Sequence, residues 1–195
     1  MTGRIPGFRR GDAVLVVDPQ LDFCPGGALP VPGGDAVMPV INAWMAAAAE
    51  TSIPVFVSRD WHPPRTTHFE PHGGPWPAHC VMGSPGAEFH PDLRVPERAR
   101  VFSKGMGETE DAYSAFQARD EAGALLPSAL AESEVRHVYL LGLATDYCVK
   151  ATGLDAREAG FAVTVVREAI GAVNLQPGDG EQALAALVDA GAELL

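Results

Sequence analysis

Residues 137–166 read HVYLLGLATDYCVKATGLDAREAGFAVTVV, and their pattern decides the fold class. The apolar run HVYLLGLA (137–144) breaks at a polar TDYC turn, helical sequence follows from about Tyr147 to Ala159, and a second apolar run, FAVTVV, begins at 161. Two nearly uninterrupted apolar strands joined by one helix make a strand-helix-strand unit, whose strands lie parallel and are buried on both faces. The rhythm continues outward in both directions. Strands are predicted at 13–18 (AVLVVD), 53–60 (IPVFVSRD), 99–104 (ARVFSK) and 192–195 (AELL), and helices at 35–50, 124–133 and 180–191. The expectation is an α/β protein with a parallel sheet covered on both faces.

One segment departs from this rhythm. Residues 60–98 follow neither period, are rich in proline and hold five of the six histidines, and a loop of that length inside a compact domain usually carries function. In open parallel sheets ligands bind beyond the carboxyl ends of the strands. The residues there are polar: Asp18, Asp60, Lys104 and the turn from Thr145 to Cys148.

Composition narrows the partners. With 195 residues, 47% of them hydrophobic, the chain can bury one sizeable core, and a single domain spanning 1–195 is expected, with an insertion at about 60–98. The 14 Lys+Arg against 25 Asp+Glu give a formal charge of −11, with no basic run, so neither nucleic acid nor a membrane is an expected partner. No apolar stretch of signal-peptide or membrane-spanning length is seen, and the three cysteines (24, 80, 148) make no disulfide framework, which places the protein in the cytoplasm with free thiols. No GxGxxG follows the first strand, so dinucleotide binding has no support. A homo-oligomer remains open.

Cys148 lies just after a strand in the first turn of a predicted helix, with Thr145 or Asp146 available as N-cap, where free N–H groups favour a thiolate. A buried packing cysteine is the competing reading. Asp18 could accept the thiol proton, or merely cap its turn. Lys104 could hold Asp18 ionised, or lie on the surface. Convergence of all three on one sheet edge favours the reactive reading.

Asp60 and His62 form a D-x-H pair whose alternate side chains project together, and His79, with His68 as a further donor, completes a mixed oxygen and nitrogen set suited to one divalent ion, zinc first, with iron or manganese also compatible. His72 and His90 read as surface residues, and Cys24 and Cys80 as packing.

In order and spacing, DPQLDFC, SRDWHPP, WPAHC, SKG, DAYSAF and GLATDYCVKATGLDA resemble the isochorismatase-like cysteine hydrolases, within them the nicotinamidase/pyrazinamidase group. The resemblance covers nearly the whole chain. It implies a Rossmann-like three-layer sandwich with a six-stranded parallel sheet, catalytic Asp18, Lys104 and Cys148, and a metal site at Asp60, His62 and His79, with His68 as a ligand in some members. It further implies a cis peptide between Leu143 and Ala144, an oxyanion hole from the N–H groups of Ala144 and Cys148, and a pocket walled by Phe23, Trp76, Tyr113 and Tyr147. The implied reaction is hydrolysis of nicotinamide, and of pyrazinamide, through a thioester on Cys148. Another small-amide hydrolase of the same fold, or a non-catalytic metal-binding module, is the alternative.

Overall fold

The computed structural model describes residues 5–111 and 113–195; residues 1–4 and Ala112, within the DAYSAF motif, lie outside them. Six strands, β1 (Asp12–Val17), β2 (Val55–Asp60), β3 (Arg100–Lys104), β4 (His137–Leu143), β5 (Ala162–Gly171) and β6 (Glu193–Leu194), form one parallel sheet in the order β3-β2-β1-β4-β5-β6. Among the described residues four α-helices accompany them: α1 (Met38–Glu50), α2 (Leu126–Glu132), α3 (Lys150–Glu158) and α4 (Asp179–Asp189).

The central strand shows why the layers form. All of β1 is buried, and its side chains alternate between two cores. Ala13, Leu15 and Val17 meet Leu126 and Leu130 of α2, Ala156 of α3, and Leu184 and Leu187 of α4. Val14 and Val16 face the other way, toward Ile41, Trp44 and Met45 of α1. Each such aliphatic side chain contributes roughly 1.5 to 3 kcal/mol of burial. On the α1 face the cover is completed by irregular chain, through Cys80, Ala87, Phe89, Leu93 and Val95, so the β2-to-β3 crossover is made by the histidine-rich segment instead of a helix.

Buried irregular chain needs partners for its polar backbone. Gln20, wholly buried, supplies them: its amide donates to Asp60 O (2.7 Å) and Ala87 O (2.8 Å), and its oxygen accepts from Asp60 N–H (2.8 Å).

Three of the differences between the element limits and the sequence reading have a plain physical cause. Helix α1 starts at Met38 after a 3-10 turn at Gly34–Val37, and α2 starts at Leu126, with Pro39 and Pro127 in their first turns, where a missing N–H costs nothing. Strand β5 continues five residues beyond the predicted end at 166. Its pairing slips from Leu140↔Val165 to Gly142↔Ile170, a bulge that turns Arg167 and Glu168 outward and so hides the strand's continuation. Gly142 in β4 has φ +114°, and a Cβ there would collide with the backbone of Val17. Among the described residues no helix is long and apolar enough to cross a membrane.

Candidate active site

The strand order reverses between β1 and β4, and the crevice beyond the carboxyl ends of these strands is the position where such sheets bind ligands. Asp18 stands one residue past β1, not within it, and adopts φ +47°, a left-handed conformation uncommon outside glycine. Sustained strain of that kind gathers at functional positions. Its side chain is completely buried. Oδ1 accepts the Ser58 hydroxyl at 2.7 Å, and Oδ2 lies 2.9 Å from Lys104 Nζ with no other donor.

Lys104 ends β3 and is paired in register with Asp60, which ends β2. Its buried ammonium meets Asp18 Oδ2, Asp60 Oδ1 and, at 3.5 Å, Cys148 Sγ. The contacts to Asp60 and Cys148 are hydrogen bonds, and the one to Asp18 is an ion pair. Burial alone favours the neutral amine, but Asp18 and Asp60 raise the Lys104 pKa well above its ordinary value, so the charge stays on nitrogen. Asp60 is also buried; Lys104, with His62 and His79, overcomes that cost and holds it below the usual carboxylate range. Burial raises Asp18, an effect Asp60 reinforces and Lys104 opposes.

Cys148 sits in a π-helical turn, Thr145–Val149, in which Val149 N–H donates to Ala144 O at 3.0 Å, and α3 follows directly. The sequence reading of Thr145 or Asp146 as N-cap is corrected: Ala144 occupies that position without a side-chain cap, and the Asp146 carboxylate turns away to the chain after β5. The free N–H groups that the sequence reading expected to favour a thiolate are outweighed by burial. Burial pushes the Cys148 thiol well up, and Lys104 only partly offsets it. The resting group is a thiol beside a carboxylate of raised pKa. Acceptor atoms of Asp18, Asp60 and Cys148 all lie within 4.8 Å of one another, and with Lys104 among them the cluster is arranged for proton exchange. The Leu143–Ala144 peptide is cis.

The second cluster comes from the irregular crossover. The segment returns to β2 because His62 N–H donates to Cys80 O (3.0 Å) and Met82 N–H to His62 O (2.8 Å). Cys80 adopts φ +44° and its N–H is held by Asp22 Oδ2 at 2.7 Å. His62, His68 and His79 are all buried, with one nitrogen from each within 4.8 Å of the others. Each ring has its Nδ1 beside an oxygen: His62 at Gly105 O (3.1 Å), His68 at Asp111 Oδ1 (3.3 Å) and His79 at Pro77 O (2.8 Å). With Nδ1–H donating, Nε2 presents its lone pair, the arrangement that metal-binding histidines use. His62 Nε2 is buried without a partner, and Asp60 Oδ2 stands 3.7 Å from it and 4.0 Å from His79 Nε2. Burial lowers His68 and brings His79 to about 4, keeping both neutral. Three converging imidazoles, an orphaned nitrogen and an adjacent carboxylate fit a divalent ion. Gly105 makes room for this: a Cβ there would strike the His62 ring.

Between the clusters lies a small pocket. Cys148, Asp60, His68 and His79 reach it, and Phe23, Trp76, Tyr113 and Tyr147 wall it. Trp76 Nε1 donates to Tyr113 Oη at 2.8 Å, and the Tyr113 and Tyr147 rings stack at 6.3 Å. All the residues that the sequence singled out for the site therefore converge on one crevice. His72 is exposed, and Cys24 and Cys80 are buried and unpaired. Sequence reasoning missed Gln20, Asp22, Ser58 and Asp111, though all four lie in quoted motifs. It also missed the walls Leu29 and Val173, which no motif marks.

The fold and crevice define a parallel α/β protein with a buried cysteine-lysine-carboxylate cluster beside three histidines, and comparison places it further. Residues 12–195 match the isochorismatase domain family, and the chain belongs to that family. It is 40% identical to the nicotinamidase of Escherichia coli (strain K12), over 93% of each chain. Among solved structures, the pyrazinamidase of Pyrococcus horikoshii in complex with zinc has a TM-score of 0.88 at 41% identity, covering 95% of this chain and 98% of that one. PnC1 of L. infantum in complex with nicotinate has a TM-score of 0.82 at 36% identity, covering 95% and 92%.

Proposed function

We propose that this protein is a nicotinamidase, hydrolysing nicotinamide to nicotinic acid and ammonia and accepting pyrazinamide. The observation that carries the reading is the Cys148 thiol, in contact with Lys104 and grouped with Asp18, at a small aromatic pocket bordered by three buried histidines. The relatives' names, and the zinc and nicotinate held by the solved neighbours, support the substrate and the ion.

The chemistry follows from the proton inventory. As the sulfur attacks the amide carbon, the thiol proton passes to Asp18, whose raised pKa suits it to carry that proton transiently. Lys104, fixed between Asp18 and Asp60, stabilises the negative charge as it moves from carboxylate to sulfur. The N–H groups of Ala144 and Cys148 receive the carbonyl oxygen as it gains charge, with each such donor worth roughly 3 to 4 kcal/mol. The carbon–nitrogen bond breaks, Asp18 returns its proton to the departing ammonia, and a thioester remains. Asp18 then takes a proton from water, whose oxygen attacks the thioester; the acid leaves and the thiol is restored. Water and amide are thereby converted to acid and ammonia with Asp18 unchanged.

Asp60, His62, His68 and His79 would hold a divalent ion, zinc first and iron or manganese next, supplying a Lewis-acid anchor for the pyridine nitrogen. Phe23, Trp76, Tyr113 and Tyr147 stack around the ring and exclude water. We assign residues 1–195 to one domain, with the 60–98 segment as its metal-binding insertion, and place the protein in the cytoplasm, where its unpaired cysteines stay reduced.

Ammonia release from nicotinamide by the wild type and Cys148→Ala tests the assignment. The variant should lose activity by a factor of about 10⁴ or more. Equal release by both would remove the covalent mechanism.

A further inference from the structure

We propose that Asp146 is a positioning residue for substrate specificity: its carboxylate clasps the chain after β5 so that Val173 forms a wall of the pocket. Asp146 lies two residues before the nucleophile, yet it does not cap the nucleophile turn. Its two oxygens each take one backbone donor, Val173 N–H at 2.9 Å on Oδ1 and Asn174 N–H at 2.7 Å on Oδ2. These residues are 27 and 28 positions away. Hydrogen bonds to an ionised acceptor are roughly twice as strong as neutral ones, and two on successive N–H groups fix both position and direction of a backbone segment.

The clasped segment matters because of what it carries. Val173 lines the same pocket as Cys148, Ala144 and Tyr147. Asn174 adopts φ +53° and its side-chain oxygen accepts from Gly180 N–H (2.9 Å) in the first turn of α4. The β5-to-α4 connection is thus tied at one end to the nucleophile turn and at the other to a helix. Without the Asp146 clasp, residues 172–178 have no element of their own to hold them. Asp146 itself touches neither the thiol nor its three charged partners, so its loss should act on pocket shape before it acts on the bond-breaking step.

This inference rests on the pocket being the nicotinamide site, and its test is separable from that reading. Asp146→Ala, Asp146→Asn and Val173→Ala are compared with wild type for kcat and KM on nicotinamide and on a ring-methylated nicotinamide, and for nicotinate affinity by calorimetry in a Cys148→Ala background. Asp146→Ala should raise KM and weaken nicotinate binding about tenfold while kcat changes by less than about threefold, the signature of lost uniform binding. Discrimination against the methylated ring should shrink. Asp146→Asn, which keeps one acceptor, should fall between. Val173→Ala should reproduce the loss of discrimination, and combining it with Asp146→Ala should add little. The proposal is overturned if Asp146→Ala and Asp146→Asn lower kcat with KM and nicotinate affinity unchanged, or if Val173→Ala leaves discrimination intact. Should Asp146→Ala fail to fold, the other two variants still decide. Absence of both nicotinate binding and turnover in the wild type would instead sink the nicotinamidase reading.

Discussion

Asp18, Asp60 and Lys104 stand at the ends of three adjacent strands, and their spacing follows from sheet register; His62, His68 and His79 come from chain without a regular element and are placed by oxygens that meet their Nδ1 atoms. The first group is assembled by the same hydrogen bonds that make the core, so its geometry is as stiff as the sheet. The second depends on individual contacts, one of them to Asp111, whose side chain is 70% exposed. Asp60 belongs to both, giving one oxygen to Lys104 and turning the other toward His62 and His79. Charge balance in one region is therefore felt in the other.

The comparison can be broken most forcefully at Lys104. Lys104→Met strands two buried carboxylates, which should cost about 3 to 5 kcal/mol and abolish ammonia release; urea denaturation read beside activity checks both. A variant as stable as wild type would mean that the strand-end cluster is less tightly coupled than its distances indicate.

Acid probes the histidine region. The His79 pKa is lowered by burial to about 4, so between its unfolded value near 6.5 and about 4 the unfolded chain binds a proton that the folded one does not. Stability of metal-free protein should be full above pH 6.5 and decline by about 3 kcal/mol as pH falls through that window. Denaturation midpoints at several pH values measure the slope, and His79→Gln should flatten it.

The gentlest perturbation is Asp111→Asn, which weakens the acceptor at His68 Nδ1 without touching a strand. Zinc affinity, measured by competition with a chelator, should fall about tenfold, within the range for such outer carboxylates, with thermal stability of the metal-free protein unchanged. An unaltered affinity would show that His68 is oriented by packing alone.

These regions were unequally legible in the sequence. Asp18, Lys104 and the TDYC turn could be found because an apolar run that ends in a polar residue marks a strand end, and the strand end is where chemistry collects. The D-x-H pair was legible for the same reason. What periodicity cannot report is a side chain that bonds to distant backbone: Gln20 reaching Ala87 across 67 positions, or Asp146 reaching Val173 across 27. Asp146 was thus read as a cap on proximity alone. The continuation of β5 was hidden because its bulge places charges where the apolar run would have to continue, and the burial that raises the Cys148 thiol is a tertiary property that the sequence does not display.

The reversal of strand order has a consequence for how the molecule comes into being. On a ribosome β1, β2 and β3 emerge early and can associate as a half-sheet, but the second edge of β1 must wait for β4, since Asp12 pairs with His137, 125 positions on. Pairings of such sequence separation are slow to close. Asp18 is laid down well before Cys148, so the crevice is the seam where earlier and later stretches of the nascent chain meet, and Cys148 comes beside Asp18 only as that seam shuts.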